Sequence, residues 1–286
     1  MTTPPAIARL DHLAVLRVTG PDRVALLQGQ SSNDARRVTA ARAQLTSFSN
    51  PKGRCVAVAV LAAWDDAHLL IVERSIAEAL CKRLRMYVLR AKVTADLAPE
   101  LAAIATPRAP FDGVEELADD WGSAVVDGSL VVAVPVSRAF ALTDSARAAA
   151  LADGSDAWRR GDVAAGLATV VAETVERFVP LWLGLERFGA IDYQKGCYTG
   201  QEIVARSHYL GTVKQRLFRA RGAAATAPGT KVFAGSDQAL GEVAVAAADG
   251  SLLFVGRDAP VGAQLALGAP DGPALDRVEA CGPSAT

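Results

Sequence analysis

Gln194-Lys195-Gly196-Cys197-Tyr198-Thr199-Gly200-Gln201-Glu202-Ile203-Val204-Ala205-Arg206 gathers an ammonium, a thiol, a phenol, a carboxylate and a guanidinium into one short stretch. Gly196 and Gly200 let the backbone turn sharply or approach another group closely. If the stretch is extended, residues two apart share a face, which sets Lys195 beside Cys197. A neighbouring cation then favours the thiolate. If Glu202 and Arg206 lie on a helix, they form an ordinary surface pair at a spacing of four. The plainer reading is a glycine-rich loop with a buried cysteine and a surface ion pair. No histidine lies inside the stretch to serve as a base, and it holds too few ligand types for a metal centre.

Working outward, the upstream chain mixes strands and helices. Leu13 to Val18 reads as a strand. Gly20-Pro21-Asp22 opens a helix, because proline costs no hydrogen bond in the first turn and an acid suits the positive end. Gln44–Ser49 and Cys55–Leu61 read as strands joined by the turn Asn50-Pro51-Lys52-Gly53. Leu69–Glu73 is another strand, and Ser75-Ile76-Ala77-Glu78 has the form of a capping box before a helix with Ile76, Leu80, Leu84 and Val88 on one face. Asp127-Gly128 joins a predicted hairpin, Ser123–Val126 with Leu130–Val134. Asp144–Ala152 and Asp156–Ala165 read as short helices. After Arg221 the composition shifts to glycine turns between short strands (Lys231–Phe233, Glu242–Ala246, Leu252–Gly256, Gln264–Leu267), as in a small β-barrel or sandwich. Asp271–Thr286 reads as a loose tail.

With 286 residues, 51% of them hydrophobic and 21% charged, the chain is long enough for a substantial core and has globular composition. The longest apolar run, Cys55–Trp64, is ten residues, far short of a membrane span. Met1–Leu10 lacks the pattern of a secretory signal, so a cytoplasmic location is expected and no membrane partner. The net charge of −1 argues against a wholly basic nucleic-acid binder. Basic residues do cluster, in Ala35–Arg54, Lys82–Lys92 and Lys195–Arg221. These are either three solvated faces or the walls of one anion-binding cavity. Cys55, Cys81, Cys197 and Cys281 are dispersed, with no CxxC spacing, so no resident metal is expected.

Lys195-Gly196-Cys197-Tyr198-Thr199-Gly200-Gln201-Glu202 resembles the K-G-C-Y-x-G-Q-E signature of the YgfZ family, folate-binding relatives of the glycine-cleavage T-protein. Thr19-Gly20, Gln28-Gly29-Gln30 and Asp34 resemble that family's N-terminal motif. Lys52-Gly53-Arg54 fits its K-G-[KR] turn, and Tyr87 with Lys92-Val93 its Y…K-V stretch. Pro180, Leu185, Gly189 and Ile191 fit the approach to the signature. The resemblance runs roughly from Asp11 to Gly256.

What the resemblance implies is an α+β, aminomethyltransferase-like folate-binding fold of two mixed subdomains around a central cavity, followed by a C-terminal β-barrel. The expected division is residues 1–212, then 213–270, then a tail, 271–286. The implied role is a tetrahydrofolate-binding accessory protein, expected to be monomeric, that supports assembly or repair of iron–sulfur enzymes, including tRNA-modifying ones. Its partners would be folate and those client enzymes or cluster-assembly proteins. Lys195 and Cys197 would carry the chemistry. Tyr198, Gly200, Gln201 and Glu202 would shape the ligand site. Arg206 would take the folate glutamate tail, since guanidinium grips carboxylate with two prongs. Trp158 matches a folate-contacting tryptophan of relatives, and Leu13 stands where some have another; the alternative for Trp158 is core packing.

The T-protein's catalytic aspartate follows its K-G-R-like turn, whereas here Cys55-Val56-Ala57-Val58 follows, with no acid before Asp65. Aminomethyl transfer therefore stands as an alternative that needs Asp65 or Asp66 as base. RNA binding by the basic segments with Tyr87, Tyr209 and Phe218 is a further alternative, although direct nucleic-acid binding is not expected.

Overall fold

The computed structural model describes residues 7–108, 117, 119–210, 215–258 and 263–282. In chain order its elements begin with β1 (Ala8–Arg9), β2 (Leu13–Thr19), α1 (Arg23–Gln30), β3 (Gln44–Ser49), β4 (Cys55–Trp64), β5 (Ala67–Glu73) and α2 (Arg74–Met86). They continue with β6 (Thr94–Leu97), β7 (Leu101–Pro107), β8 (Ser123–Val126), β9 (Ser129–Val134), β10 (Arg138–Asp144), α3 (Ser145–Ala148), α4 (Ser155–Ala165) and α5 (Gln201–Leu210). The last set is β11 (Arg216–Arg221), β12 (Lys231–Phe233), β13 (Gly241–Ala246), β14 (Ser251–Gly256), β15 (Ala266–Leu267) and β16 (Asp276–Ala280).

Three antiparallel sheets result. One runs β3-β4-β5-β2-β6 and a second β1-β7-β10-β9-β8. These two share one apolar core, to which Leu16, Phe48, Leu61 and Leu70 contribute from the first sheet and Leu130, Val132, Phe140 and Leu142 from the second. β4, β5 and β9 read as nearly continuous apolar runs, as strands covered on both faces do. The third sheet, β15-β12-β13-β14-β11-β16, curls as a half-barrel around its own core of Phe218, Val232, Phe254 and Leu267. Phe218 and Phe254 stack there with ring centroids 5.0 Å apart. Register shifts at Val243/Val245 and Arg219/Arg221 help bend this sheet.

Several local expectations need correction. The capping box at Ser75 does not form. The helix begins at Arg74, and the Ser75 hydroxyl accepts from the Ala172 N–H at 3.2 Å instead. Val88 lies beyond that helix, and the helix expected over Asp144–Ala152 is a single turn, Ser145–Ala148. The segment read as a tail supplies strand β16, which pairs with β11. No helix among the described residues is long and apolar enough to cross a membrane.

Candidate functional site

The signature stretch is a loop leading into α5, not a strand, so its side chains do not alternate between faces. Lys195 is turned inward and is 5% exposed. Its ammonium donates to three carbonyl oxygens, those of Gln28 (2.8 Å), Ser31 (2.6 Å) and Asn33 (2.9 Å). These lie at and just past the C-terminal end of α1, where carbonyls lack helical partners and a cation is favoured. An ammonium has three donors, and all three are used. Burial pulls the Lys195 pKa down to about 8, while Asp34 and Asp192 oppose that fall. The Tyr198 ring lies 5.0 Å from the same ammonium and is itself buried. Cys197, by contrast, is exposed and makes no hydrogen bond among the described residues. The expected pairing of lysine and thiol on one face therefore fails.

The rest of the loop docks on the segments that co-occur with it in sequence. The Thr199 N–H donates to the Gly29 carbonyl at 3.2 Å, and the Ser32 hydroxyl to that of Ala190 at 2.7 Å. Gly200 has φ +86, and a Cβ there would sit 2.6 Å from the Asn50 carbonyl oxygen. Gly53 of the Lys52-Gly53-Arg54 turn has φ +69 and leaves room for Ile203. Only glycine meets both demands, positive φ and close approach. Gln201 accepts from the Tyr198 N–H at 3.3 Å. Glu202 and Arg206 form an exposed pair at 3.5 Å, which is the plainer of the two readings of that spacing.

A second site lies between the first two sheets. A narrow cavity there is lined by Leu13, Leu45, Val58, Val60, Ile71 and Val72 from the first sheet and by Trp121, Phe140 and Trp158. Its volume is about 70 Å³. Trp158 meets Phe140 edge-on at 6.3 Å, and the Arg138 guanidinium covers one face of its indole at 4.4 Å. Arg138 also donates to the Trp158 carbonyl (3.0 Å) and to Asp162 (2.8 Å). The indole is thus both core and cavity lining. Trp121 adopts φ +69, a left-handed conformation costly for a bulky residue. Hydrogen bonds from its N–H to Ala133 and to its carbonyl from Ala43, both 2.8 Å, hold it there.

The polar members of this cavity are His12, Glu73, Asp162 and Thr169. Glu73 is 4% exposed and accepts from Arg159 at 3.0 Å through one oxygen; its other oxygen has no donor among the described residues. Burial pushes its pKa up to about 7 against the pull of Arg159, with Asp162 adding to the rise. Burial also raises the Asp162 pKa, opposed by Arg138. Burial lowers that of His12 to about 3, and its Nδ1 is buried without a partner. A neutral imidazole and an incompletely bonded carboxyl in an apolar slot can take a ligand that donates hydrogen bonds.

Of the expected ligand-site residues, only Trp158 lines this cavity. Tyr198, Gly200, Gln201, Glu202 and Arg206 belong to the loop and its helix. Asp65 and Asp66, the conditional bases, sit exposed in the turn between β4 and β5, and neither lines the cavity. Phe218, considered for stacking on RNA, is spent in the half-barrel core, and Tyr87 is half-buried with the Arg83 guanidinium over its ring. Glu73, His12, Trp121 and Phe140 went unread in the sequence; the available signal was a carboxylate closing the apolar run His68–Glu73. A larger groove between Arg54, Arg177, Trp182 and the half-barrel is less suited to an anion, because Glu242 already pairs with both Arg177 and Lys231. Among the described residues, no group of three or more His, Cys, Asp or Glu side chains is arranged to hold a metal ion.

No family model matches the chain. The tRNA-modifying protein YgfZ of Klebsiella pneumoniae is 28% identical over 243 residues, covering 79% of this chain and 74% of that protein. The protein of the same name from Cronobacter sakazakii is 28% identical over 244 residues, with the same shares covered. In structure, the glycine cleavage system aminomethyltransferase T from Bartonella henselae matches with a TM-score of 0.70 and 13% identity, over 94% of this chain and 83% of that one. That likeness is one of fold.

Proposed function

We propose, with the membership of the YgfZ family that these relatives support as the premise, that the chain is a tetrahydrofolate-binding accessory protein for iron–sulfur enzymes, tRNA-modifying ones among them. The observation that carries this reading is the aromatic slot between the two sheets of an aminomethyltransferase-like fold, with Trp158 on its wall. Flat heterocycles are held by such rings through stacking and edge contacts. Tetrahydrofolate, when bound, would supply one-carbon chemistry. The chain's own part is to hold the ligand in the slot and to present Cys197 on a loop anchored by Lys195.

Aminomethyl transfer is the weaker reading, since β4 opens on Cys55 and Val56 and the nearest downstream acids face solvent. The deciding experiment is calorimetry with tetrahydrofolate and folic acid on the wild type and Cys197→Ala, followed by assay of iron–sulfur enzymes in a deletion strain carrying each. Binding by both proteins with rescue only by the wild type is expected. Absence of tetrahydrofolate binding by the wild type rejects the reading, and turnover of an aminomethyl donor by the purified protein favours the transferase.

A further inference from the structure

The cavity is mostly apolar, and two of its polar groups come together where Glu73 closes β5 and His12 precedes β2. The Arg74 N–H donates to the His12 carbonyl at 2.7 Å, and the His12 N–H donates to the Ser155 hydroxyl at 3.2 Å, so both backbones are fixed. At this end His12 Nδ1 is buried without a partner, and the Glu73 carboxylate takes a donor, Arg159, on one oxygen. A buried polar atom left without a hydrogen bond is costly, and a cavity that keeps one beside a carboxylate with an oxygen to spare is shaped for a donor from outside. From these observations we infer that Glu73 is the specificity residue of the slot, accepting hydrogen bonds from the amino-pyrimidinone edge of a pterin, with His12 beside it. The inference rests on the tetrahydrofolate reading above and names the group that recognises the ring.

The chemistry matches at each point. A 2-amino-4-oxo-pteridine presents a ring N–H and an exocyclic NH2 side by side, two parallel donors that suit a carboxylate. The ring system is flat and can meet Trp121, Phe140 and Trp158 by stacking or edge contacts. Arg159 fixes the carboxylate from behind without consuming both oxygens. The charged groups that act on Glu73 are Arg159 and Asp162 on α4 and Glu173 on the segment that follows, while Arg159, Asp153 and Arg74 act on the neutral His12. Asp162 is tied to Arg138 and cannot turn to the ligand without taking away that guanidinium's carboxylate partner.

A free protein that holds a proton on Glu73 near pH 6.5 must release it when the carboxylate accepts two donors. Titration calorimetry at that pH in buffers of different ionisation enthalpy should therefore show proton release on tetrahydrofolate binding by the wild type. Glu73→Gln should bind at least tenfold more weakly and lose the buffer dependence. A 2-desamino-2-methyl analogue of tetrahydrofolate should bind the wild type at least tenfold more weakly than tetrahydrofolate, yet bind wild type and Glu73→Gln alike. Equal tetrahydrofolate affinity of Glu73→Gln and wild type overturns the inference and leaves the proposed function standing. A wild type that binds no tetrahydrofolate overturns both. If Glu73→Gln does not fold, the wild-type buffer dependence decides alone: its absence rejects the role of Glu73.

Discussion

The signature loop and the central cavity hold most of the chain's unusual chemistry, and they hold it in opposite ways. In the loop the charged group is fully satisfied and the reactive one is free: Lys195 gives all three donors to carbonyls, while the Cys197 thiol projects outward. In the cavity the reverse holds. The rings are packed into the core, and the acceptors, one Glu73 oxygen and His12 Nδ1, are left open. The loop is therefore built to present a side chain to something outside, and the cavity to receive something inside. Residue type alone does not reveal this division, since a lysine and a cysteine look like a functional pair until one is seen to be architectural.

The contrast is tested most severely at Trp158. Trp158→Ala removes a core side chain as well as a cavity wall, and should cost about 3–5 kcal/mol in chemical denaturation as well as weaken tetrahydrofolate binding in calorimetry. Lys195→Ala should cost about 3 kcal/mol, because three buried carbonyls lose a charged donor. A variant that kept full stability would show the ammonium to be free for chemistry after all. Glu73 gives a pH signature. Its carboxyl ionises near 4.5 in the unfolded chain and near 7 in the native one, so between those values the native state keeps a proton that the unfolded state has lost. Its contribution to stability is complete below pH 4.5 and is lost as pH rises through 7, on the order of 1–3 kcal/mol. Glu73→Gln should flatten that slope in denaturation curves taken from pH 5 to pH 8. Gly200→Ala, with positive φ and a close carbonyl, should cost about 1–3 kcal/mol. Cys197→Ser should change stability by less than about 0.5 kcal/mol; a larger loss would make the thiol structural and erase the contrast.

Much of the strand pattern was legible where β-branched residues and turn signals coincide. Gln44–Ser49, the Asp127-Gly128 hairpin and Lys231–Phe233 all appear with the expected bounds or within a residue of them. The strands Leu101–Pro107 and Arg138–Asp144 were not, because alanine-rich runs carry little β signal and take their structure from pairing with neighbours. Arg216–Arg221 hid inside a basic segment, since its three arginines interrupt the buried Leu217, Phe218 and Ala220 without a clean alternation. Asp276–Ala280 is exposed throughout, as suits an edge strand. The signature's importance was visible in sequence, but its geometry was not: the inward turn of Lys195 depends on carbonyls more than 160 positions away. Glu73 was passed over because an acid at a strand end usually faces water.

That separation has a consequence in time. The carbonyls of Gln28, Ser31 and Asn33 leave the ribosome some 160 residues before the ammonium that caps them. At about 5–20 residues per second the delay is roughly 10–30 seconds. During synthesis the end of α1 waits for this cap until the signature loop arrives. The lysine is thus the closing contact of a long chain loop, and it couples completion of the N-terminal region to arrival of the segment that carries the thiol.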